Sequence, residues 1–235
     1  MKDKLYIIIP AYNEADNIGE VIQEWYPIVK KIGGGSKLVV IDDGSKDKTY
    51  SIVKQYSEQY PQLVALQKEN GGHGSAVLYG YYYAIKNEAS YVFQTDSDRQ
   101  TCPEEFGEFW NIRDQYDGIF GNRTTRKDGK FRIITEKILC LLIRIFFGVK
   151  IPDANAPYRL IKGKILEKYI YRIPKNYNLP NVMLTVFFVY YKEKVQFTQI
   201  TFVPRQAGEQ SINMLRIFQI GRKTLHDFYN FRKEM

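Results

Sequence analysis

Two aspartates one residue apart, Asp96 and Asp98, directly follow the apolar run 91–95 in a chain of 235 residues. Carboxylates at that spacing in a turn can converge on a hard cation, which prefers oxygen ligands. Gln100 adds a neutral oxygen nearby. Mg²⁺ or Mn²⁺ held there would neutralise a diphosphate leaving group, the Lewis-acid role of metal catalysis. An Asp-Xaa-Asp alone is common, and turn or cap carboxylates ahead of Pro103 are the ordinary explanation. Its place at a strand end favours the chemical one.

Other runs end in the same way. Residues 5–9 lead into Pro10-Ala11-Tyr12-Asn13-Glu14, 37–41 into Asp42-Asp43-Gly44-Ser45, 63–66 into Asn70-Gly71-Gly72-His73-Gly74-Ser75, and 118–121 into Asn122-Arg123. A carboxylate after the second run can accept from a ribose hydroxyl or a base, as in dinucleotide folds. It also suits an Asp turn in which Gly44 has positive φ and Asp47 caps the next helix. The glycine-rich stretch resembles a phosphate-cradling loop at a helix start. It lacks the Lys-Ser/Thr ending of a Walker loop and does not follow the first strand, which argues against a nucleoside triphosphatase or a dinucleotide dehydrogenase. With no Ser or Cys nucleophile evident, His73 reads as a loop-packing or substrate-contact residue, and His226 as structural.

The elements that must position these groups alternate. After the first strand, Ile18, Val21, Ile22, Trp25, Tyr26 and Val29 recur at helical spacing, with Asn13 a candidate N-cap and Gly33-Gly34-Gly35 the stop. A helix carries Ile52, Val53, Tyr56 and Tyr60, another opens at the glycine-rich loop and runs through Ile85, and a third starts at Pro103. Strands alternating with helices predict a mostly parallel, Rossmann-like α/β sheet covered on both faces. Ligands of such sheets bind beyond the carboxyl ends of the strands, where all five polar motifs fall. The second half predicts a helix over 131–147, an irregular stretch at 152–159, a strand pair near 195–203 and an amphipathic helix over 213–232.

Hydrophobic residues make up 44% of the chain, enough for a core, and the net charge of +8 points to an anionic partner. Between 122 and 150 the basic residues Arg123, Arg126, Lys127, Lys130, Arg132, Lys137, Arg144 and Lys150 face only Asp128 and Glu136. A nucleic-acid binder would explain the charge but not the acidic strand ends, which repel a phosphate backbone; no nucleic-acid partner is expected. Cys102 and Cys140 form neither a disulfide framework nor a zinc spacing, which fits a reduced, cytoplasmic compartment. The apolar stretch 138–149 is interrupted by Arg144 and too short to span a bilayer. Together with the C-terminal helix it reads as a basic amphipathic surface for peripheral membrane attachment, on the cytoplasmic face.

Jointly, Ile7-Ile8-Ile9-Pro10-Ala11-Tyr12-Asn13-Glu14, Val39-Val40-Ile41-Asp42-Asp43-Gly44-Ser45-Lys46-Asp47, Asn70-Gly71-Gly72-His73-Gly74 and Asp96-Ser97-Asp98-Arg99-Gln100 resemble the family 2 glycosyltransferases of the GT-A fold. Gly121-Asn122-Arg123, Asp153-Ala154-Asn155-Ala156-Pro157-Tyr158-Arg159 and Pro204-Arg205-Gln206-Ala207-Gly208-Glu209-Gln210-Ser211 resemble, more loosely, the branch similar to dolichol-phosphate-mannose synthase, which glycosylates polyprenyl phosphates. The resemblance implies that Pro10, Ala11, Tyr12, Glu14, Ile41, Asp43 and Gly71 hold the nucleotide-sugar. It places Asp96, Ser97 and Asp98 along its diphosphate, with Asp96, Asp98 and Gln100 as ligands of Mg²⁺ or Mn²⁺. Arg123, Arg205 and Arg132 would contact donor or acceptor phosphates. The sequence departs from the pattern at Ala156-Pro157-Tyr158-Arg159, where Ser-Gly-Phe-Arg is usual, and at Ile212, where a Lys is frequent.

A sugar-hydroxyl acceptor needs a general base, for which Asp153 is the best candidate and Glu209 the next. A phosphate monoester, with a second pKa of about 6, is largely ionised and needs Arg partners instead. The expectation is thus an inverting, metal-dependent transferase moving a sugar from a UDP- or GDP-sugar to a dolichyl- or undecaprenyl-type phosphate. Asp98, Arg123, Arg205 and Asp153 would be at its catalytic centre. The alternatives are transfer to a sugar hydroxyl in polysaccharide or glycolipid assembly and, further off, a nucleotidyltransferase or a non-enzymatic anion-binding protein. The domain is expected over 1–212, followed by an interfacial helix over 213–235, and a separate membrane-anchoring subunit is a candidate partner.

Overall fold

The computed structural model describes residues 3–126, 130–204 and 214–235, with side chains described for all of these except 124–126, 130–133 and 214–222. Seven strands form one sheet in the order β3-β2-β1-β4-β6-β5-β7. They are β1 (Leu5–Ala11), β2 (Lys37–Asp42), β3 (Leu63–Gln67), β4 (Tyr91–Thr95), β5 (Gly118–Arg126), β6 (Tyr158–Lys162) and β7 (Val195–Phe202). Strands β1 to β4 are mutually parallel, β6 runs antiparallel to both β4 and β5, and β5 pairs parallel with β7. The carboxyl ends of β4 and β5 therefore share an edge, and the residues that lead into β6 arrive at that same edge. This mostly parallel α/β sheet is the expected fold class.

Helices α1 (Ile18–Ile32), α2 (Thr49–Gln59), α3 (His73–Lys86) and α4 (Phe106–Asn111) follow the first four strands. The helical stripe of α1 is buried as its spacing requires, from Ile18 to Val29, each such side chain contributing about 1.5–3 kcal/mol. Its cap is Asn17, however, not Asn13. Asn13 sits at φ 53° and turns its side chain to the Lys46 amide of the neighbouring loop. Two cores form, one on each face of the sheet: Trp25, Phe93, Phe106, Phe109 and Tyr158 cluster on one, and Tyr81, Phe120, Tyr169, Phe187 and Phe188 on the other.

The second half departs from the sequence reading in several places. Strand β5 runs on to Arg126, because its outer part pairs with β7 around an irregularity between Asn122 and Thr125. Part of the stretch read as irregular is strand β6, followed by α6 (Gly163–Ile170) and α7 (Pro180–Tyr190). Around 195–203 there is a single strand that pairs with β5, not a strand pair. Helix α5 (Lys130–Phe147) lies where expected. It buries Ile143 and Phe147 but leaves Ile134, Ile138, Leu141 and Ile145 each more than half exposed. Helix α8 (Met214–Glu234) places Phe228 against Phe146 and Phe147, and Phe231 against Tyr177 and Phe187. That packing ties the C-terminal segment to the core.

Candidate active site

The loops after β1 and β2 brace each other. The Asp43 amide donates to the Ala11 carbonyl (2.9 Å), the Asn13 amide to Ser45 Oγ (2.9 Å) and the Glu14 amide to Thr49 Oγ1 (2.8 Å). Glu14 is buried and accepts from Asn17 Nδ2 at 2.7 Å. Pro10 and Ala11 close β1, half-buried Tyr12 follows, and Ile41 lies in the core beneath Gly80.

Asp43 is the hub of the next loop. Its buried carboxylate accepts from Lys68 Nζ (2.6 Å) and from the amides of Gly71 (3.0 Å) and Gly72 (2.7 Å). Amides at the start of α3, which a phosphate-cradling loop would aim at a ligand, are thus held by a protein carboxylate that satisfies the same positive helix end. Gly44 is required here. Its φ is 69° and a Cβ would stand 2.8 Å from the Asn70 nitrogen.

Asp96 is fixed from two sides. His73 Nε2 and Gln94 Nε2 both lie 2.9 Å from Oδ1. Gln94 is fully buried, accepts from Asn181 Nδ2 (2.9 Å), and Asn181 in turn accepts from Tyr81 Oη (3.1 Å). Buried amides must be paired, so this chain from α3 and α7 carries the rigidity of the core to Asp96. Burial works against a charged His73, but Asp96, with Asp98 and Asp43 further off, outweighs it and holds the imidazole pKa above its ordinary value. Ser97 is buried, and Asp98 Oδ1 accepts from the Gln100 amide at 3.2 Å. Arg99, at φ 58°, leaves the loop to bind Glu24 (2.7 Å) and Glu20 on α1.

Gln100 is buried, and its amide nitrogen donates to the Val203 carbonyl at 2.8 Å, while the Val203 amide donates back to Gln100 at 2.9 Å. Its first visible task is to clamp the exit of the Asp-Ser-Asp loop onto the end of β7. Thr101 pairs with Phe202, and the Phe202 ring carries the Arg123 guanidinium at 5.2 Å. Through Phe202 the two acidic centres of the edge become neighbours.

Arg123 and Asp153, expected in separate roles, face each other. Asp153 accepts from Arg123 Nε (2.7 Å), Nη2 (2.9 Å) and the backbone amide (3.2 Å). Burial pushes its pKa up, but this bidentate pairing wins and holds it low, which makes Asp153 a weak base. Glu136 of α5 completes the group at 3.6 Å from Arg123 Nη2. Its own pKa is raised by burial and by Asp153. Arg159, fully buried, donates to the carbonyls of Ala154 and Ala156 and pins the segment that carries Asp153. His226 is exposed and lies 3.1 Å from Asn230. The side chain of Arg132, and all of Arg205 and Glu209, lie outside the described residues.

Sequence reasoning passed over Glu136, Gln94 and Lys68. The first two carried a signal. Glu136 is a lone carboxyl in a basic, apolar helix, and Gln94 is a polar residue inside an apolar strand.

Among the described residues no group of three or more His, Cys, Asp or Glu is placed to hold a metal ion. Asp96 and Asp98 nevertheless fit a hard cation that takes one or two carboxylates and completes its shell with water and substrate phosphate, as Mg²⁺ does.

The family model described as glycosyl transferase family 2 matches residues 6–170. Among curated proteins, the undecaprenyl-phosphate 4-deoxy-4-formamido-L-arabinose transferase of Pectobacterium atrosepticum is 28% identical over 163 residues, 68% of this chain and 49% of its own. Its namesake in Photorhabdus laumondii is 23% identical over 92% of this chain and 65% of its own. The chain thus spans between about half and two thirds of the length of these relatives. A crystal structure of glucosyl-3-phosphoglycerate synthase from Mycobacterium tuberculosis, in complex with Mn²⁺, UDP-glucose and phosphoglyceric acid, superposes with a TM-score of 0.72 at 15% identity, covering 97% of this chain and 80% of that one. The fold is of the GT-A kind, and the chain belongs to glycosyl transferase family 2.

Proposed function

We propose that this chain is an inverting, divalent-metal-dependent transferase that moves a sugar from a nucleoside-diphosphate sugar to a polyprenyl phosphate at a membrane surface. The observation that carries the acceptor half is the pairing of Asp153 with Arg123. Asp153, the candidate base for a sugar hydroxyl, is held as a weak base, whereas a phosphate acceptor brings its own negative charge. The names of the curated relatives support the same acceptor class.

On this reading Pro10, Ala11, Tyr12, Glu14, Ile41, Asp43 and Gly71 form the nucleoside end of the site, and Asp96, Ser97 and Asp98 line the diphosphate. Asp96 and Asp98 would hold Mg²⁺ or Mn²⁺, with Gln100 beside them. The bound ion would supply Lewis-acid neutralisation of the leaving diphosphate. His73, held 2.9 Å from Asp96 Oδ1, would add positive charge at the same place whenever it is protonated, and preorganised charge of this sort is effective because it need not reorganise during reaction. Arg132 and Arg205 are the candidate phosphate contacts of the acceptor side, because the Arg123 guanidinium, expected in the same role, is taken up by Asp153 and Glu136. The Mn²⁺ and UDP-glucose in the mycobacterial complex support the cofactor and donor classes.

No helix among the described residues is long and apolar enough to cross a membrane. The exposed stripe of Ile134, Ile138, Leu141 and Ile145, flanked by exposed Lys137 and Arg144, fits an interfacial helix. It supports peripheral attachment, on the cytoplasmic face if the donor is a cytoplasmic sugar nucleotide, with or without a separate anchoring subunit. Transfer to a sugar hydroxyl is the second reading, favoured by Glu136, whose raised pKa would suit a general base.

The test is a panel of labelled UDP- and GDP-sugars offered to polyprenyl phosphate and to oligosaccharides, with Mg²⁺, with Mn²⁺ and with chelator. Metal-dependent label in the lipid phase is the expected result. Label in sugar acceptors alone overturns the lipid-phosphate reading.

A further inference from the structure

Arg99 stands between Asp98 and Gln100 in a backbone conformation that its residue type does not favour. Its φ is 58°, in the left-handed region where a Cβ crowds the following carbonyl and only Gly, with Asn and Asp after it, is at ease. The same turn brings the Gln100 amide to 3.2 Å from Asp98 Oδ1. The direction of the Asp98 carboxylate and the twist at Arg99 are therefore set together. His73 and Gln94 fix the entry of this loop at Asp96, and the mutual bonds of Gln100 and Val203 fix its exit.

The Arg99 side chain restrains the middle. Its Nη2 donates to Glu24 Oε1 at 2.7 Å and its Nη1 to Glu20. The two carboxylates are one turn apart on the same face of α1, so a single planar group is held at both outer nitrogens. Exposed ion pairs stabilise little, but here the Arg99 side chain is only 24% exposed and that of Glu24 34%. Helix α1 is itself a firm anchor, because its Trp25 packs on Phe93 of β4 at 5.3 Å and on Phe106 of α4 at 6.3 Å. The strand that delivers the acidic loop and the helix that grips its middle thus belong to one packed unit.

We propose that Arg99 is a positioning residue whose two ion pairs to α1 hold the 98–100 turn in its left-handed form, and so aim the Asp98 carboxylate for a divalent cation before the cation binds. The inference rests on the role of Asp98 as a ligand of that cation, proposed above. A ligand oxygen already in place need not be ordered at the moment of contact, which strengthens binding.

Charge and conformation predict opposite signs. By Coulomb's law alone, removing a cationic side chain beside a cation site strengthens metal binding. Losing a conformational restraint weakens it, and only where the new residue resists the left-handed region. Arg99→Ala removes the tether and keeps the Cβ, so the turn relaxes to negative φ and the Asp98–Gln100 bond is lost. Arg99→Gly removes the same tether, but Gly populates positive φ as readily as negative, and much of the turn survives.

The test is Mn²⁺ binding to wild type and variants, read from the electron paramagnetic resonance of the free ion, without nucleotide and with UDP or GDP. Arg99→Ala should bind about tenfold more weakly than wild type, the ratio set by the left-handed cost of an ordinary side chain. Arg99→Gly should stay within a few-fold. Arg99→Gln against Arg99→Asn repeats the comparison with polar side chains, of which Asn tolerates the left-handed region, and serves if Arg99→Ala does not fold. Hydrogen exchange at the Gln100 amide, followed without metal, should be faster in the Ala and Gln variants than in the Gly and Asn ones. Equal Mn²⁺ affinity across the four variants overturns the proposal, whether it matches wild type, falls below it or rises above it. Asp98→Asn separates this outcome from failure of the metal reading. If it weakens Mn²⁺ binding and no Arg99 variant does, the proposal for Arg99 falls and Asp98 remains a ligand. If Asp98→Asn binds Mn²⁺ as wild type does, the metal reading of Asp98 falls and takes the aiming role with it, and the Gln100 exchange rates then show only whether Arg99 holds the turn.

Discussion

The two halves of the sheet edge hold their charges in opposite ways. On the β1–β4 side, Asp43 and Asp96 are met by backbone amides, Lys68, Gln94 and His73. Each carboxylate is oriented by groups from an adjacent strand-to-helix unit or from the core beneath it. On the β5–β7 side the acidic and basic groups meet one another: Arg123, Asp153 and Glu136 come from β5, the segment before β6 and α5. On the function proposed, the first arrangement would present fixed carboxylates to a cation and a nucleoside. The second cancels charge internally and leaves its function to depend on how completely that cancellation is kept. On that reading the donor side would be a scaffold for ligands and the acceptor side a balance of charges, and the two should fail differently when altered.

The largest expected effect is on the balanced side. Arg123→Ala leaves two nearly buried carboxyls without their cation, and breaking a buried pair from one end costs about 3–5 kcal/mol. Thermal unfolding should show a fall on the order of 10 °C for a chain of this size. The loss should shrink at acid pH, where protonation of Asp153 removes the stranded charge. Asp153 has its pKa depressed in the folded protein, so its stabilisation is present above its unfolded pKa and disappears as pH falls through the folded one. A variant as stable as wild type at neutral pH would mean that the three groups are not a unit.

Asp98→Asn should do the reverse, leaving unfolding nearly unchanged while lowering kcat by about 10²–10³-fold, the usual cost of removing one electrostatic contact to a developing charge. The stimulation of activity by Mn²⁺ or Mg²⁺ should move to higher metal concentration. Unaltered metal dependence in this variant would remove Asp98 from the ligand set.

How legible each half was follows from the same contrast. Strands β1 to β4 and the helices after them could be read because each apolar run and its helix are neighbours in sequence. Even there, Asn13 was misread as a cap because its partner, Lys46, lies in another loop. In the second half, β6 holds the fully buried Arg159, which reads as a surface residue until its carbonyl partners are known. Helix α7 is buried on every side from Pro180 to Phe188, so it shows no amphipathic period to find. The acidic motif at Asp96 was visible as a motif. What fixes it, the chain through Gln94 and Asn181 to Tyr81, joins residues up to 100 positions apart and has no local pattern.

A smaller effect tests the link between the halves. Gly74, in the first turn of α3, faces the 177–178 backbone so closely that a Cβ would lie 2.3 Å from the Tyr177 carbonyl oxygen. Backbone cannot swing aside as a side-chain tip can, so Gly74→Ala should cost about 1–3 kcal/mol through overpacking. It should also disturb His73, the preceding residue, and with it the contact to Asp96. The expected signature is a weaker donor affinity together with a lower melting temperature. A change in stability alone would show that the start of α3 holds its place independently of the 177–178 segment.

The smallest effect on stability should accompany a large one on location. Ile138 and Leu141 are more than half exposed on the same face of α5. Replacing both with Ser removes apolar surface that water already reaches, so unfolding should shift by no more than about 0.5 kcal/mol for each. If that face enters a bilayer interface, each side chain contributes up to about 1.5–3 kcal/mol of transfer there, and the double variant should leave vesicles containing anionic lipid that retain the wild type. Activity on a water-soluble, short-chain polyprenyl phosphate should be preserved, because both side chains are more than half exposed to solvent. Equal flotation of the two proteins would assign the stripe no part in attachment, whereas loss of the soluble-acceptor activity would place it in the acceptor site itself.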